Sequence, residues 1–205
     1  MAISQKKKQE KLAKKKAKRK SARASSKKSS GNFNPERFPI YECIAGDVIF
    51  AEGKGSVIIA REMPEETLAC AFFLVDTYCL GVKDVFYEKV DKSTYVDMVQ
   101  KQNRVEMFKK ISPECGRKLV ESAVLYAREI GIDPHKGYKK AGKIWGDIDP
   151  DICDRNFEFG KDGKPFFIPG PTDSPARCRQ ILKTLEKKCG PDGFYYLMPQ
   201  EVKDM

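Results

Sequence analysis

Carboxylates are the side chains of this chain best suited to chemistry. Asp76 closes a strongly apolar run, Asp84 follows it closely, and Asp147, Asp149, Asp151 and Asp154 cluster downstream. Carboxylates that converge at a strand end can hold Mg²⁺, and paired metal ions are what metal-dependent phosphoryl transfer uses. On that reading Asp76 and Asp84 are the candidate metal residues of a nuclease. The simpler reading is structural, because Asp is common in turns and at helix caps and no second motif fixes a ligand spacing. The expectation is therefore no resident metal and no cofactor.

Other reactive side chains are sparse. His135 is the only histidine, and Pro134-His135-Lys136-Gly137 reads as an exposed turn with no nucleophile motif beside it. One histidine and no C-x-x-C pair argue against zinc. The seven cysteines, Cys43, Cys70, Cys79, Cys115, Cys153, Cys178 and Cys189, sit mostly among apolar residues, which suits reduced thiols acting as small hydrophobes. Gly53-Lys54-Gly55 and Gly160-Lys161-Asp162-Gly163-Lys164 bring Gly and Lys together, yet neither matches G-x-x-x-x-G-K-[ST] or runs straight into a helix. Hairpin turns explain both. Trp145, with Tyr138, Lys139, Lys140 and Lys143, combines an aromatic ring and cations in a way that could stack on a base and clamp its phosphate. The competing reading buries Trp145 as a loop anchor.

Charge is the strongest signal. Lys6, Lys7, Lys8, Lys11, Lys14, Lys15, Lys16, Lys18, Arg19, Lys20, Arg23, Lys27 and Lys28 all fall within the first thirty positions, against the single acid Glu10. Of 39 basic and 29 acidic residues in the chain, 26 and 28 remain for residues 31–205, so the arm carries about +12 and the body about −2. These thirteen cations are the candidate nucleic-acid-binding residues, since each phosphate neutralised releases counterions. Like charges at i,i+4, such as Lys7/Lys11 and Lys16/Lys20, oppose a free helix, and no apolar stripe offsets them. The arm is expected to be disordered or nascent-helical when free. It has no aromatic residue, so it would hold phosphates without reading bases. The partner expected is RNA or DNA, bound electrostatically and without sequence preference.

A membrane surface would need an apolar or lipid element as well as the lysines, and none is visible. No run of eighteen apolar residues and no apolar segment after the first lysines is present, so neither a span nor a secretory signal is expected. The location expected is cytoplasmic, or nuclear in a nucleated cell, where residues 14–20 would satisfy a localisation pattern. The remaining alternative is a protein-interaction module whose arm only keeps it soluble.

The pattern of elements predicts an α+β fold, mostly antiparallel sheet with packed helices. Residues 1–30 form the basic arm and Ser-rich linker, and 31–205 a single domain with possible sub-units 38–131 and 155–200. Apolar runs at 40–44, 48–50 and 57–60 around Glu52-Gly53-Lys54-Gly55 read as a hairpin, and 67–78 and 82–90 extend it into a meander. A helix is predicted from an N-cap at Ser93 to about Lys110. A second runs from Ser112 and Pro113 to a stop at Gly131, so that two antiparallel helices pack on the sheet. A short helix at 136–145 follows. A second hairpin is predicted from 157–159 and 165–168 around Asp162-Gly163, then a helix from Ser174-Pro175 to Gly190 and a strand at 194–198.

Three segments carry a resemblance: residues 74–86, Leu-Val-Asp-Thr-Tyr-Cys-Leu-Gly-Val-Lys-Asp-Val-Phe; Gly160-Lys161-Asp162-Gly163-Lys164-Pro165; and Gly170-Pro171. With them the chain resembles a family of uncharacterised bacterial proteins that often begin with a lysine-rich arm. The resemblance covers most of 39–198 and implies one folded unit. It brings no activity, cofactor or functional residue.

Overall fold

Four consecutive antiparallel strands form the predicted meander: β1 (Ile40–Gly46), β2 (Lys54–Met63), β3 (Thr67–Asp76) and β4 (Gly81–Asp91). The computed structural model describes residues 34–197, so the thirteen cations of the arm and Met198 lie outside the described residues. The chain divides after Asn34 into two units, and every strand and helix named in this section belongs to the second, Pro35–Met205. A fifth strand, β5 (Phe108–Lys110), pairs antiparallel with β1, giving the order β4-β3-β2-β1-β5. With the helices α1 (Lys92–Gln102), α2 (Pro113–Glu129), α3 (Tyr138–Ala141) and α4 (Pro175–Cys189), the fold is α+β. Among the described residues no helix is long and apolar enough to cross a membrane.

Successive side chains of a strand point to opposite faces, and in β2 and β3 both sets are apolar. Val57, Ile59, Ala71, Phe73 and Val75 pack on one side with Leu119, Val120, Ala123 and Val124 of α2. Ile58, Ala60, Leu68 and Cys70 pack on the other with Tyr95 and Val99 of α1. The two helices therefore cover opposite faces of the sheet instead of lying side by side. A sheet apolar on both sides needs two covers.

Helix α1 starts and stops earlier than its spacing predicts. The cap is Asp91, not Ser93: its carboxylate accepts from the Ser93 hydroxyl at 2.6 Å, the Thr94 N–H at 2.7 Å and the Thr94 hydroxyl at 2.9 Å. These donors hold its pKa down to about 2. The helix ends at Gln102, because Phe108 is taken into β5 and the Glu106 carboxylate turns back to accept the Ser56 N–H at 2.9 Å. Pairing with β1 overrides the local helical period.

The ends of α2 agree with the sequence. Ser112 Oγ accepts from the Cys115 N–H at 3.2 Å, and Pro113 stands in the first turn. At the far end Gly131 N–H reaches Arg128 O at 2.9 Å and Ile132 N–H reaches Ala127 O at 2.8 Å, the paired bonds of a Schellman cap. Cys115 is disulfide-bonded to Cys153, which corrects the expectation of seven reduced thiols. Both cysteines are buried, and α2 brings them together across a 38-residue separation that local patterning does not register. Cys43, Cys70, Cys79, Cys178 and Cys189 are free.

The predicted second hairpin does not form. Asp162 and Gly163 have φ values of 52° and 76°, as a tight two-residue turn requires, and Lys161 and Lys164 exchange both backbone bonds. The flanking segments then separate. Phe157 stacks on Phe50 and Phe159 on Tyr126, while β6 (Phe166–Phe167) pairs in parallel with β7 (Tyr195–Tyr196) across α4. Pro165 has no N–H to donate, and its carbonyl accepts from Tyr195 instead, at 2.7 Å. The C-terminal element is a β-α-β crossover.

Candidate nucleic-acid interface

Asp76 and Asp84 have different jobs. Asp76 is 5% exposed, and its Oδ1 accepts the N–H groups of Tyr78 and Cys79 at 3.1 and 2.8 Å. Burial pushes its pKa up to about 6, against the opposing pull of those amides and of Lys83. Asp84 is exposed, accepts the Val85 N–H at 2.8 Å and faces His135 Nε2 at 3.7 Å. His135 Nδ1 accepts from the Gly137 N–H at 3.2 Å, which puts the neutral ring's proton on Nε2, toward Asp84. Asp147, Asp149, Asp151 and Asp154 are exposed, and Asp149 caps the short turn at Pro150–Ile152. Among the described residues no three His, Cys, Asp or Glu side chains stand where they could hold a metal ion.

Trp145 is core. It is 1% exposed and stacks on Phe73 with centroids 5.6 Å apart and planes 16° from parallel. Its indole cannot also stack on a nucleotide. The backbone around it is gripped by the buried Arg61, whose guanidinium donates to Ile144 O at 2.7 Å, Trp145 O at 2.9 Å and Phe38 O at 2.6 Å. Lys139, Lys140 and Lys143 are exposed, and Lys140 Nζ lies 5.8 Å from the centre of the Tyr87 ring.

The segments that carry the resemblance meet at the loop between β3 and β4. Asp76 sets that turn, and the groups after it find partners from elsewhere. Thr77 O accepts from the Gly160 N–H at 2.9 Å, and Tyr78 O accepts from the Phe166 N–H at 3.0 Å and the Tyr126 hydroxyl at 3.3 Å. The Thr77 hydroxyl donates to Ile49 O at 3.1 Å, and the Tyr78 hydroxyl to Ala51 O at 3.0 Å. Gly53 has no side chain because the Tyr78 ring occupies its place: a Cβ there would lie 2.0 Å from Cδ2. Just beyond the loop, Lys83 Nζ bonds Asp173 Oδ2 at 2.6 Å, with only 10% and 4% of the two side chains exposed. Burial alone would raise the pKa of Asp173, but Lys83 and the Gly170 N–H, which it accepts at 2.8 Å, hold it below the ordinary carboxylate value.

That anchor positions α4. Ser174 caps it, and Cys178, Ile181 and Leu185 are buried against Cys79, Leu80 and Phe167. On the opposite side Arg179, Lys183 and Lys187 follow one another at i,i+4 spacing, with Lys188 beside them. Together with Gly131 and Thr184 they line an open groove of about 610 Å³. Among the described residues no carboxylate lies within ion-pair distance of these four, whereas Arg177 on the same helix reaches Asp173 at 3.5 Å. Repeated like charge at i,i+4 costs a helix a few tenths of a kcal/mol per pair. Burial of the other face sustains it.

Beside this helix, β6 and β7 turn Phe167 inward and Phe166 outward. Phe166, Tyr195, Phe194 and Tyr196 line a cleft of about 490 Å³, with Lys161 and Asp162 on its rim. Phe166 and Tyr195 stand opposite each other in the ladder, their rings at 85° and 6.3 Å apart. Lys161 Nζ is 5.2 Å from the Phe166 ring centre, and Lys164 Nζ 5.4 Å from that of Tyr195.

Neither surface stands out in a whole-body charge count, which is slightly negative. The first is detectable by reading α4's cations at helical spacing, and the second by noting two aromatic dipeptides, Phe166-Phe167 and Tyr195-Tyr196, the first of them close behind Lys161 and Lys164. Compared with protein-family models, with curated proteins and with solved structures, the chain matches none.

Proposed function

We propose that this protein is a non-enzymatic nucleic-acid-associated protein that holds the phosphate backbone of RNA or DNA. The observation that carries this reading is the row Arg179, Lys183 and Lys187, with Lys188, set along one helix and without carboxylate partners among the described residues. Cations at one-turn intervals suit a ladder of phosphates, and release of the counterions condensed on those phosphates makes binding steeply salt-dependent. The thirteen basic residues of the arm supply a second, sequence-independent attraction. Asp76, its Oδ1 engaged by turn amides, gives no support to metal-dependent cleavage. A cytoplasmic location, or a nuclear one in a nucleated cell, goes with this reading, and burial of Cys115 and Cys153 shields their bond from thiols there.

The test is titration of labelled single-stranded and duplex oligonucleotides between about 50 and 200 mM salt. Full-length chain should lose affinity steeply across that range. A chain beginning at Gly31 should lose most of it, and combining that deletion with Arg179→Glu, Lys183→Glu and Lys187→Glu should remove the rest. Absence of binding by the full-length chain would sink the reading and leave a protein-interaction module as its replacement.

A further inference from the structure

We propose that the cleft between β6, β7 and the Lys161-Asp162 turn receives an unpaired base of single-stranded RNA or DNA. This inference rests on the nucleic-acid reading and narrows it, because α4 and the arm offer only phosphate contacts, which single and double strands both satisfy.

The rings are fixed in place. Phe166 and Tyr195 are locked opposite one another by the parallel ladder, and Tyr78 lies 6.0 Å from Phe166 with its plane tilted by 31°. The result is a corner of aromatic walls at right angles, with Tyr195 42% and Tyr196 51% exposed. A planar base can stack on one wall and meet the edge of the other, the two arrangements that aromatic quadrupoles favour. The cleft's volume of about 490 Å³ lies within the about 300–1,000 Å³ usual for small-ligand sites.

Charge selects the occupant. Lys161 Nζ lies over the Phe166 ring and Lys164 Nζ over the Tyr195 ring, so a group that enters to stack on either ring meets an ammonium ion there. Lys164 is steadied by donating to Asp192 O at 2.8 Å and retains further protons for an anion. A nucleotide answers both features, with a π-face for the rings and a phosphate for each flanking lysine. Asp162 at the rim accepts hydrogen bonds, which suits a base amino group or a ribose hydroxyl. An apolar protein segment would leave both lysines without a counter-charge. Duplex DNA presents no unstacked base to the corner. Stacking is sequence-tolerant, since every base has a π-face.

Position supports the same occupant. Phe167, on the inner side of β6, packs with Ile181 and Leu185 of α4, so the cleft and the row of α4 cations are two outer surfaces of a single small core. A strand held at its phosphates by α4 has a stacking platform on the same β-α-β element.

The test uses full-length chain and labelled oligouridylate, with a duplex of equal length as control, at physiological salt. Tyr195→Leu combined with Tyr196→Ser removes one aromatic wall at exposed positions and should leave the melting temperature unchanged. Affinity for the single strand should fall about tenfold or more with the salt slope retained, since stacking is not a counterion effect. Duplex affinity should stay as in the unsubstituted protein. Lys161→Gln should instead lower the single-strand salt slope by about 0.7. Irradiation of the complex with a 5-bromouridine strand should crosslink at Phe166, Tyr195 or Tyr196. Equal loss on single strand and duplex, no loss on either, or crosslinks confined to other residues would overturn the inference while leaving the phosphate-binding reading intact. Failure of the unsubstituted protein to bind either strand would remove both.

Discussion

Helices α2 and α4 begin alike and end alike, yet they use their cations in opposite ways. Each opens with Ser-Pro, the serine capping and the proline in the first turn, and each stops at a glycine of positive φ. Each buries one apolar stripe. On α2 two basic side chains turn inward to the protein: Arg117 pairs with Glu121 at 2.8 Å and donates to the carbonyls of Gly146 and Ile148, and Lys118 donates to Cys153 O at 2.6 Å. With the Cys115–Cys153 bond they tie down the segment 146–153. On α4 the corresponding outward cations have no such partners among the described residues. Helix propensity and capping are alike in the two; the destination of the long polar side chains is what differs.

The largest expected effect breaks the α2 side of this contrast. Reducing the Cys115–Cys153 bond, or replacing both cysteines by serine, should lower stability by about 4 kcal/mol through release of a loop of that length, while oligonucleotide affinity at temperatures where the fold persists stays the same. Denaturant melts with and without reductant would measure it. A loss of affinity with no loss of stability would invert the roles assigned to the two helices.

Next comes the bond that orients α4. Lys83→Met removes the shorter of the two ion pairs of the buried Asp173 carboxylate, leaving it the Gly170 amide and Arg177, and should cost about 3 kcal/mol, with amide exchange accelerating across 166–197 more than in the meander. The double variant Lys83→Met, Asp173→Leu should recover part of that loss. If exchange accelerates uniformly, the C-terminal element is not held separately by this pair.

Asp76 sits in the loop against which both helices' cores converge. Its pKa of about 6 is raised above the ordinary value of 3.8, so the folded state binds more protons than the unfolded state between those limits. Stability contributed by this group should fall as pH rises from about 4 to 6, by up to about 3 kcal/mol. Asp76→Asn, which keeps an oxygen for the Tyr78 and Cys79 amides, should flatten that part of the pH–stability curve. An unchanged slope would assign the titration to other groups.

The α4 side is broken by Arg179→Gln, Lys183→Gln and Lys187→Gln together. Affinity should fall about a hundredfold at physiological salt and the log–log salt slope by about 2 to 3. Stability should change by less than about 0.5 kcal/mol, or rise slightly as like charges are removed. The smallest effect on binding comes from the matching change on α2. Arg117→Met should cost about 1 to 2 kcal/mol of stability by stranding two carbonyls and leave affinity alone.

What the sequence made readable follows the same divide between local and distant physics. Both ends of α2 and α4 could be placed from cap residues and glycines, because capping is settled within a few positions. The meander from Ile40 to Asp91 was readable because neighbouring strands are joined by short turns. Strand β5 was hidden inside a helical period, since its pairing with β1 lies more than sixty residues away in the chain. The partner of Phe166 is likewise Tyr195, not the adjacent Phe157-Glu158-Phe159 run that patterning offers. Of the site, the cations of the arm and the Lys139, Lys140 and Lys143 group stand out by density, and of the two readings of Trp145 the buried loop anchor holds, fixed by Phe73, distant in sequence. Arg179, Lys183 and Lys187 are hidden because the apolar stripe of α4 has the same helical period as its cations.

The loop from Asp76 to Gly81 also joins contacts of very different span along the chain. Its amides are satisfied by Asp76 itself and its shape by the preceding hairpin, so it can be complete soon after β4 leaves a ribosome. Thr77 O must then wait for Gly160, Tyr78 O has only the Tyr126 hydroxyl until Phe166 follows, some eighty residues later, and β6 must wait a further thirty for Tyr195. Contacts of that span are slow to close. A chain interrupted within α4 would display a finished sheet with an unoccupied docking loop, and the aromatic corner would be the last feature to come into being.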